Sequence, residues 1–104
     1  MPLTRNFKDT IKQRAEKDPA FRQALLKEAL GSFLSGDTEE GKIILRDYIN
    51  ATIGFSELSA LTNKNPKSLM RMLSPSGNPR ADNLFEIIGC LQKNEGISLE
   101  VRTS

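Results

Sequence analysis

With 104 residues, the chain is long enough for one domain with a single apolar core, and it needs no covalent staples. It has one cysteine and no histidine, which excludes an intrachain disulfide, a zinc site of the usual Cys and His kind, and catalysis by histidine. The charges nearly balance, with 15 basic and 13 acidic side chains. The sequence has no apolar run suited to a signal peptide or a membrane span. We therefore expect a cytoplasmic protein that is not an enzyme, binds no cofactor and does not enter a membrane.

The first 36 residues are predicted to form two amphipathic helices. Thr4 is a candidate N-cap for a first helix that ends near Lys17. Asp18 and Pro19 predict the start of a second helix, because a capping side chain followed by proline favours a first helical turn. That helix is expected to end near Gly36. The predicted apolar positions are Phe7, Ile11 and Ala15 in the first helix, and Phe21, Ala24, Leu25, Ala29 and Phe33 in the second.

A third helix is predicted from an N-cap at Asp37 or Thr38 to a stop before Gly54. Its acidic start is typical of helix N-termini, which attract negative charge, and this explains the acidic cluster better than a metal site does. The acidic residues are Asp37, Glu39, Glu40 and Asp47, and the apolar face comprises Ile44, Leu45, Tyr48, Ile49 and Thr52.

Two short helices, at 55–62 and 66–74, are predicted next, with a tight turn between them. Asn63 tolerates the left-handed backbone that ends a helix, Asn65 can cap the next helix, and Pro66 suits its first position. Two short helices joined in this way are the geometry that places the second helix in a DNA major groove. The side chains expected to face the core are Leu58 and Leu61 from the first helix, and Leu69, Met72 and Leu73 from the second.

The segment 58–81 contains four basic residues and no acidic one. In the second short helix, Lys67, Ser68 and Arg71 share the outer face, as a groove-reading surface requires. Cations at such positions neutralise phosphates. A solvated helix face is the alternative interpretation of the same charges. The four basic residues are Lys64, Lys67, Arg71 and Arg80.

The C-terminal part is predicted to be a helix followed by a strand. Asn78 can cap this helix and Pro79 can begin it, beside Arg80, whose position suits a phosphate. Gly96 ends the helix. The alternation that follows predicts a strand that needs a partner from a second copy or another protein, or is otherwise a frayed tail. The helix core positions are Leu84, Ile87, Ile88 and Leu91, and the strand positions are Ile97, Leu99 and Val101.

The text of residues 55–92, "FSELSALTNKNPKSLMRMLSPSGNPRADNLFEIIGCLQ", resembles the helix-turn-helix domain of the Cro and phage-repressor superfamily. The segments "DPAFRQALLKEAL", "ILRDYINATIGFSELS" and "PKSLMRMLSPSGNP" resemble addiction-module antidote proteins, and the resemblance runs from about Phe7 to Val101. Two positions depart from the pattern. Ser56 stands where many superfamily members have glutamine, and Asn63 replaces the usual turn glycine.

The resemblance implies an all-α, lambda-repressor-like helix-turn-helix bundle of about six helices in a single domain. In this interpretation, residues 1–36 are a two-helix extension, 37–95 the DNA-binding core and 96–104 a C-terminal β-strand. It implies an antitoxin of a type II toxin–antitoxin module that binds a RelE- or ParE-like toxin and represses its own operon, but it does not define the toxin contacts. The residues carried over are Asn65, Lys67, Ser68 and Arg71 as groove readers, and Lys64, Asn78 and Arg80 near phosphates.

The expected partners are operator DNA, a toxin and a second copy of the chain, with the C-terminal strand as the favoured dimer seam. The N-terminal helices around Phe7, Ile11 and Phe21 are the alternative seam. Two other functional classes remain open: a free-standing regulator without a toxin partner, and a structural or adaptor protein without DNA affinity.

Overall fold

A computed structural model describes the backbone of residues 3–104 and the side chains of residues 9–104. Within these residues the chain is all-α, with six helices and no β-strand. None of the described helices is long and apolar enough to cross a membrane. The helices are α1 (Leu3–Lys17), α2 (Pro19–Leu34), α3 (Thr38–Ala51), α4 (Gly54–Thr62), α5 (Pro66–Met72) and α6 (Ala81–Glu95).

Most helix boundaries are set by local capping, as predicted. The side chains of Asp18, Asp37 and Asn65 each accept a hydrogen bond from a backbone amide of the following turn, at 3.1, 3.1 and 2.8 Å. Asn63 ends α4 and Gly96 ends α6 in the left-handed conformation, with φ of 57° and 76°. The start of α1 lies one residue before the predicted cap, and the side chains of Thr4 and Phe7 lie outside the described residues.

One apolar core is shared by α2 to α6, and α2 packs chiefly against α3. The predicted core faces of α5 and α6 are confirmed, as are the four aliphatic and aromatic positions of α3. The buried members of this core are Leu26, Ala29, Ile44, Leu45, Tyr48, Ile49, Phe55, Leu58, Leu69, Leu73, Ile87, Ile88 and Leu91.

Two predicted core positions are wrong. In α4, Leu61 is 56% exposed, whereas the neighbouring Thr62 is buried and its hydroxyl donates to the Leu58 carbonyl at 2.7 Å. In α2, Ala24 is exposed and Leu26 is buried. In both helices the neighbouring elements decide which edge of the amphipathic face is covered, and the sequence of the helix alone does not specify this.

The start of α6 is also later than predicted. The helix begins at Ala81, preceded by Arg80 without a side-chain capping bond, so Asn78 does not cap it and Pro79 does not begin it. The reason lies at Gly77, where a Cβ atom would stand 1.9 Å from the carbonyl oxygen of Arg71. Because the chain packs this closely against the end of α5, residues 77–80 continue without helical structure to reach α6.

The predicted C-terminal strand is absent from the described residues. Residues 98–102 instead line a groove with α2, and Ile97 and Leu99 pack against the core. The backbone amides of both residues are bonded within the chain, to the backbone and side-chain oxygens of Gln92 at 3.1 and 2.7 Å. Only Val101 of the three predicted strand residues is largely exposed. The apolar alternation therefore reflects intramolecular packing.

A buried polar cluster joins the end of α6 to α2 and α3. The Glu95 carboxylate accepts from the Arg22 Nε at 3.0 Å and from the Tyr48 hydroxyl at 2.6 Å, and its side chain is only 4% exposed. Arg22 also donates to the carbonyl of Ala15 in α1. Burial, reinforced by the hydrogen bond to Glu95, raises the pKa of Tyr48 well above its ordinary value. Four helices thus meet at one ionic contact.

Candidate nucleic-acid interface

The outer face of α5 exposes two cations on a firmly anchored helix. Leu69 and Leu73 are fully buried, so their side chains fix the rotation of the helix. Lys67 and Arg71, one turn apart, are exposed, and neither side chain has a hydrogen-bond or ion-pair partner among the described residues. Ser68, between them, is half-buried. The predicted outer face is therefore the exposed one.

Asn65 and Asn78 lie at the two ends of this surface. Asn65 is exposed, and its side-chain oxygen is used to cap α5, whereas its side-chain nitrogen has no partner in the described part of the chain. Asn78 is exposed in the loop that follows α5. Both side chains keep a hydrogen-bond donor available to solvent.

Lys64, in contrast, is partly buried and has intrachain polar partners. Its ammonium group lies 2.9 Å from the Asn83 Oδ1 and 2.8 Å from the Glu86 Oε2, both on α6. The Lys64 side chain is 21% exposed. A phosphate would have to compete with these contacts, so Lys64 joins the turn before α5 to α6 and is less available than Lys67 or Arg71.

Arg80 lies at the start of α6 beside an acidic residue. Its Nε is 3.4 Å from the Asp82 Oδ1, and both side chains are largely exposed. Water and salt weaken an ion pair of this kind, so Arg80 remains available to an anion. Asp82, however, already brings a negative charge to the first turn of α6, and the sequence prediction of a phosphate there did not include it.

A buried lysine supports α5 from behind. Lys42 of α3 is 2% exposed, and its Nζ lies 2.7 Å from the Gly77 carbonyl oxygen and 3.3 Å from that of Pro75. The same Nζ lies 3.0 Å from the carboxylate of Glu39. The lysine therefore holds the loop that leaves α5.

A second basic side chain of α3 acts in the same place. Arg46 donates from Nη1 to the Leu73 carbonyl oxygen at 3.3 Å, at the C-cap of α5. Cations are favourable there because the last carbonyls of a helix carry partial negative charge. Sequence analysis missed both residues, although one signal existed: Lys42 shares the apolar face of α3 with Leu45 and Ile49, where a solvated lysine is out of place.

The acidic residues at the start of α3 have structural contacts. Asp37 caps the helix and Glu39 pairs with Lys42. No group of three or more Asp, Glu, His or Cys side chains among residues 9–104 is placed to hold a metal ion.

Comparison with known proteins adds no relative: no protein-family model, no curated protein and no solved structure matches the chain. The geometry of α5 and the loop after it is thus the structural basis for proposing a DNA-binding role.

Proposed function

We propose that the protein is a DNA-binding antitoxin of a type II toxin–antitoxin module, which binds a RelE- or ParE-like toxin and represses its own operon as a homodimer. In this proposal α4 and α5 form a helix-turn-helix of a lambda-repressor-like domain, and α5 enters the major groove. The groove-reading residues are Asn65, Lys67, Ser68 and Arg71, and the residues near phosphates are Asn78 and Arg80, with Lys64 in a lesser role.

One observation carries the DNA-binding part of the proposal. α5 is anchored by two buried leucines and a buried lysine behind its C-terminal end, yet it exposes Lys67 and Arg71 without intrachain partners among the described residues. A rigid helix with free cations on its outer face is suited to base edges and phosphates, because groove recognition requires a fixed register.

The toxin part rests on the sequence resemblance. A neighbouring reading frame for a small toxin that co-purifies with this chain would support it. A free-standing regulator is the alternative function, and it predicts the same DNA surface without such a neighbour. Co-expression of both reading frames followed by size-exclusion chromatography separates the two, because only an antitoxin forms a stable complex.

Replacing Arg71 by Ala tests the DNA surface. We expect affinity for the promoter region of the protein's own gene to fall by about 1 to 3 kcal/mol, since an arginine at this position can form a bidentate contact with guanine. The melting temperature should change little, because Arg71 is exposed. Arg102→Ala removes an exposed arginine from the C-terminal tail and is the matched control. Equal binding by wild type and Arg71→Ala, measured by fluorescence anisotropy, would reject the assigned face.

The salt dependence of the same binding gives an independent measure. Each neutralised phosphate contributes about −0.9 to the slope of log affinity against log salt concentration. Arg80→Ala should make that slope shallower by about one unit for each phosphate contact that is removed, because Arg80 is exposed and is placed near a phosphate. Lys64→Gln should leave the slope nearly unchanged and lower the melting temperature instead, because Lys64 is paired with Glu86.

A further inference from the structure

The outer face of α6, away from the core, is partly apolar. Gly89 and Cys90 are half-buried at its centre, and they line a groove together with Leu61 of α4. Leu61 and Phe85, which are 56% and 62% exposed, lie on opposite sides of this face. Leu61 lines the groove itself, whereas Phe85 lies outside it, on the other side of the outer face of α6. Single exposed apolar residues are common, so the case for a partner depends on the charges that border the groove.

The charges on this face are arranged symmetrically. Glu86 lies before Gly89 and Cys90, and Lys93 lies after them at the same distance along the helix. The two charges are seven residues apart, about 10 Å at 1.5 Å per residue, and positions i and i+7 share a face. Glu86 is 50% exposed, and its carboxylate also meets Lys64.

This arrangement is self-complementary under a two-fold axis. If two α6 helices pack antiparallel with the axis between Gly89 and Cys90, each Glu86 lies opposite the Lys93 of the other copy. A two-fold interface needs such a pattern, because if residue i of one copy contacts residue j of the other, then j of the first copy also contacts i of the second. Gly89 adds a small residue at the crossing point, where a Cβ atom would meet nothing within 4 Å in its own chain.

We propose that this face of α6, with Leu61 of α4, binds a second copy of the chain in a two-fold antiparallel contact that pairs Glu86 of each protomer with Lys93 of its partner. The proposal names the surface used by the homodimer in the proposed function. It places that surface on α6 and Leu61, which share no residue with the outer face of α5.

Charge reversal tests the pairing without DNA. Glu86→Lys alone and Lys93→Glu alone each put two like-charge pairs in the interface, so the dimer dissociation constant from sedimentation should rise about 10- to 100-fold. Glu86→Lys also breaks the intrachain pair with Lys64, so thermal melting must show that this variant is still folded. An equimolar mixture of the two variants should form a heterodimer, because both pairs are again attractive in it. Glu28→Lys and Lys27→Glu, on the exposed face of α2, are the matched controls and should leave the dimer intact.

Gly89→Gln provides a second variant that keeps the fold. A Cβ atom at this position meets no atom of its own chain within 4 Å, and glutamine has the higher helix propensity, so monomer stability should not fall while the dimer weakens at least tenfold. Gly31→Gln in α2 has the same free space and should raise stability with no effect on the dimer.

Cross-linking through the single cysteine reports on the geometry directly. With the axis beside Cys90, a short bismaleimide should link two wild-type protomers through this residue. Burial raises the pKa of the Cys90 thiol, so the cross-linking rate should increase as the pH rises. A monomer at micromolar concentration, or a dimer that the charge reversals and Gly89→Gln leave unchanged, overturns the proposal. An intact dimer that does not bind DNA would instead reject only the proposed function, and a monomer that binds DNA would reject this interface and the homodimer while leaving the DNA-binding role in place.

Discussion

Burial changes the chemistry of Tyr48. Its side chain is in the core, and its hydroxyl donates to the buried carboxylate of Glu95. An ionised phenolate in this place would lose its hydration and face a negative partner, so the pKa of Tyr48 is raised above its ordinary value of about 10. A pKa raised in the folded state stabilises the fold fully below the unfolded pKa and progressively less as pH rises above it.

Tyr48→Phe should therefore remove part of the alkaline sensitivity of the fold. Between about pH 9 and pH 11, the free energy of unfolding of the wild type should fall more steeply than that of the variant, because the unfolded tyrosine ionises and the folded one does not. Near neutral pH the variant should be less stable by about 1 to 3 kcal/mol, since the Glu95 carboxylate loses a buried donor. Urea denaturation at several pH values measures both effects. Parallel pH curves for the two proteins would show that Tyr48 ionises freely.

The exposed residues show which site features a sequence can and cannot specify. The cations of α5 were predicted because helical spacing and two flanking leucines define an outer face locally. The ion pair of Lys64 was not, because Glu86 lies 22 residues later and the pairing exists only once α4 and α6 are packed together. Lys64 and Lys67 thus differ in availability, although both belong to the basic segment 58–81, because only Lys64 lies within reach of Glu86.

At the scale of the helices, the orientation of α5 depends on α3. Lys42 bonds two carbonyl groups of the loop after α5, and Arg46 bonds the carbonyl at its C-cap. α5 has only seven residues and would be marginal alone, so these contacts and the buried leucines determine its position.

Lys42→Met should separate support from contact. The variant retains the length of the side chain but leaves the carbonyls of Pro75 and Gly77 without their donor, which should cost on the order of 2 kcal/mol of folding stability. Operator affinity should also fall although Lys42 is buried and touches no DNA, because the last turn of α5 loses its fixed position. Glu39→Gln, which removes only the exposed partner of the same lysine, should cost less than about 1 kcal/mol. Thermal melting and anisotropy check the two effects, and unchanged affinity in a destabilised Lys42→Met protein would show that the loop does not position α5.

Some helix boundaries are set by local sequence, and others by the packing of distant residues. Caps at Asp18, Asp37 and Asn65 could be predicted because each acts on amides in its own first turn. The start of α6 could not, because it depends on how closely Gly77 approaches the end of α5. Local chemistry specifies where helices can begin, and packing decides among those positions.

At the scale of the whole chain, the C-terminal tail completes the core. Deleting residues 97–104 removes the half-buried Ile97 and Leu99 and should lower the free energy of unfolding by about 2 kcal/mol. If α6 forms the dimer seam, the truncated protein should still sediment as a dimer at micromolar concentration. Loss of the dimer with normal thermal stability of the remaining protomer would instead assign the seam to the tail, as the sequence alone had indicated.

The contact of Glu95 with Arg22 and Tyr48 also imposes an order on protein synthesis. These partners precede Glu95 by 73 and 47 residues, so they leave the ribosome well before it. At about 5 to 20 residues per second, Arg22 is incorporated roughly 4 to 15 s before Glu95. During that interval α2 and α3 can associate, but Arg22 and Tyr48 have no Glu95 carboxylate to which they can donate. A nascent chain released before residue 95 therefore lacks the contact that joins α6 to α2 and α3.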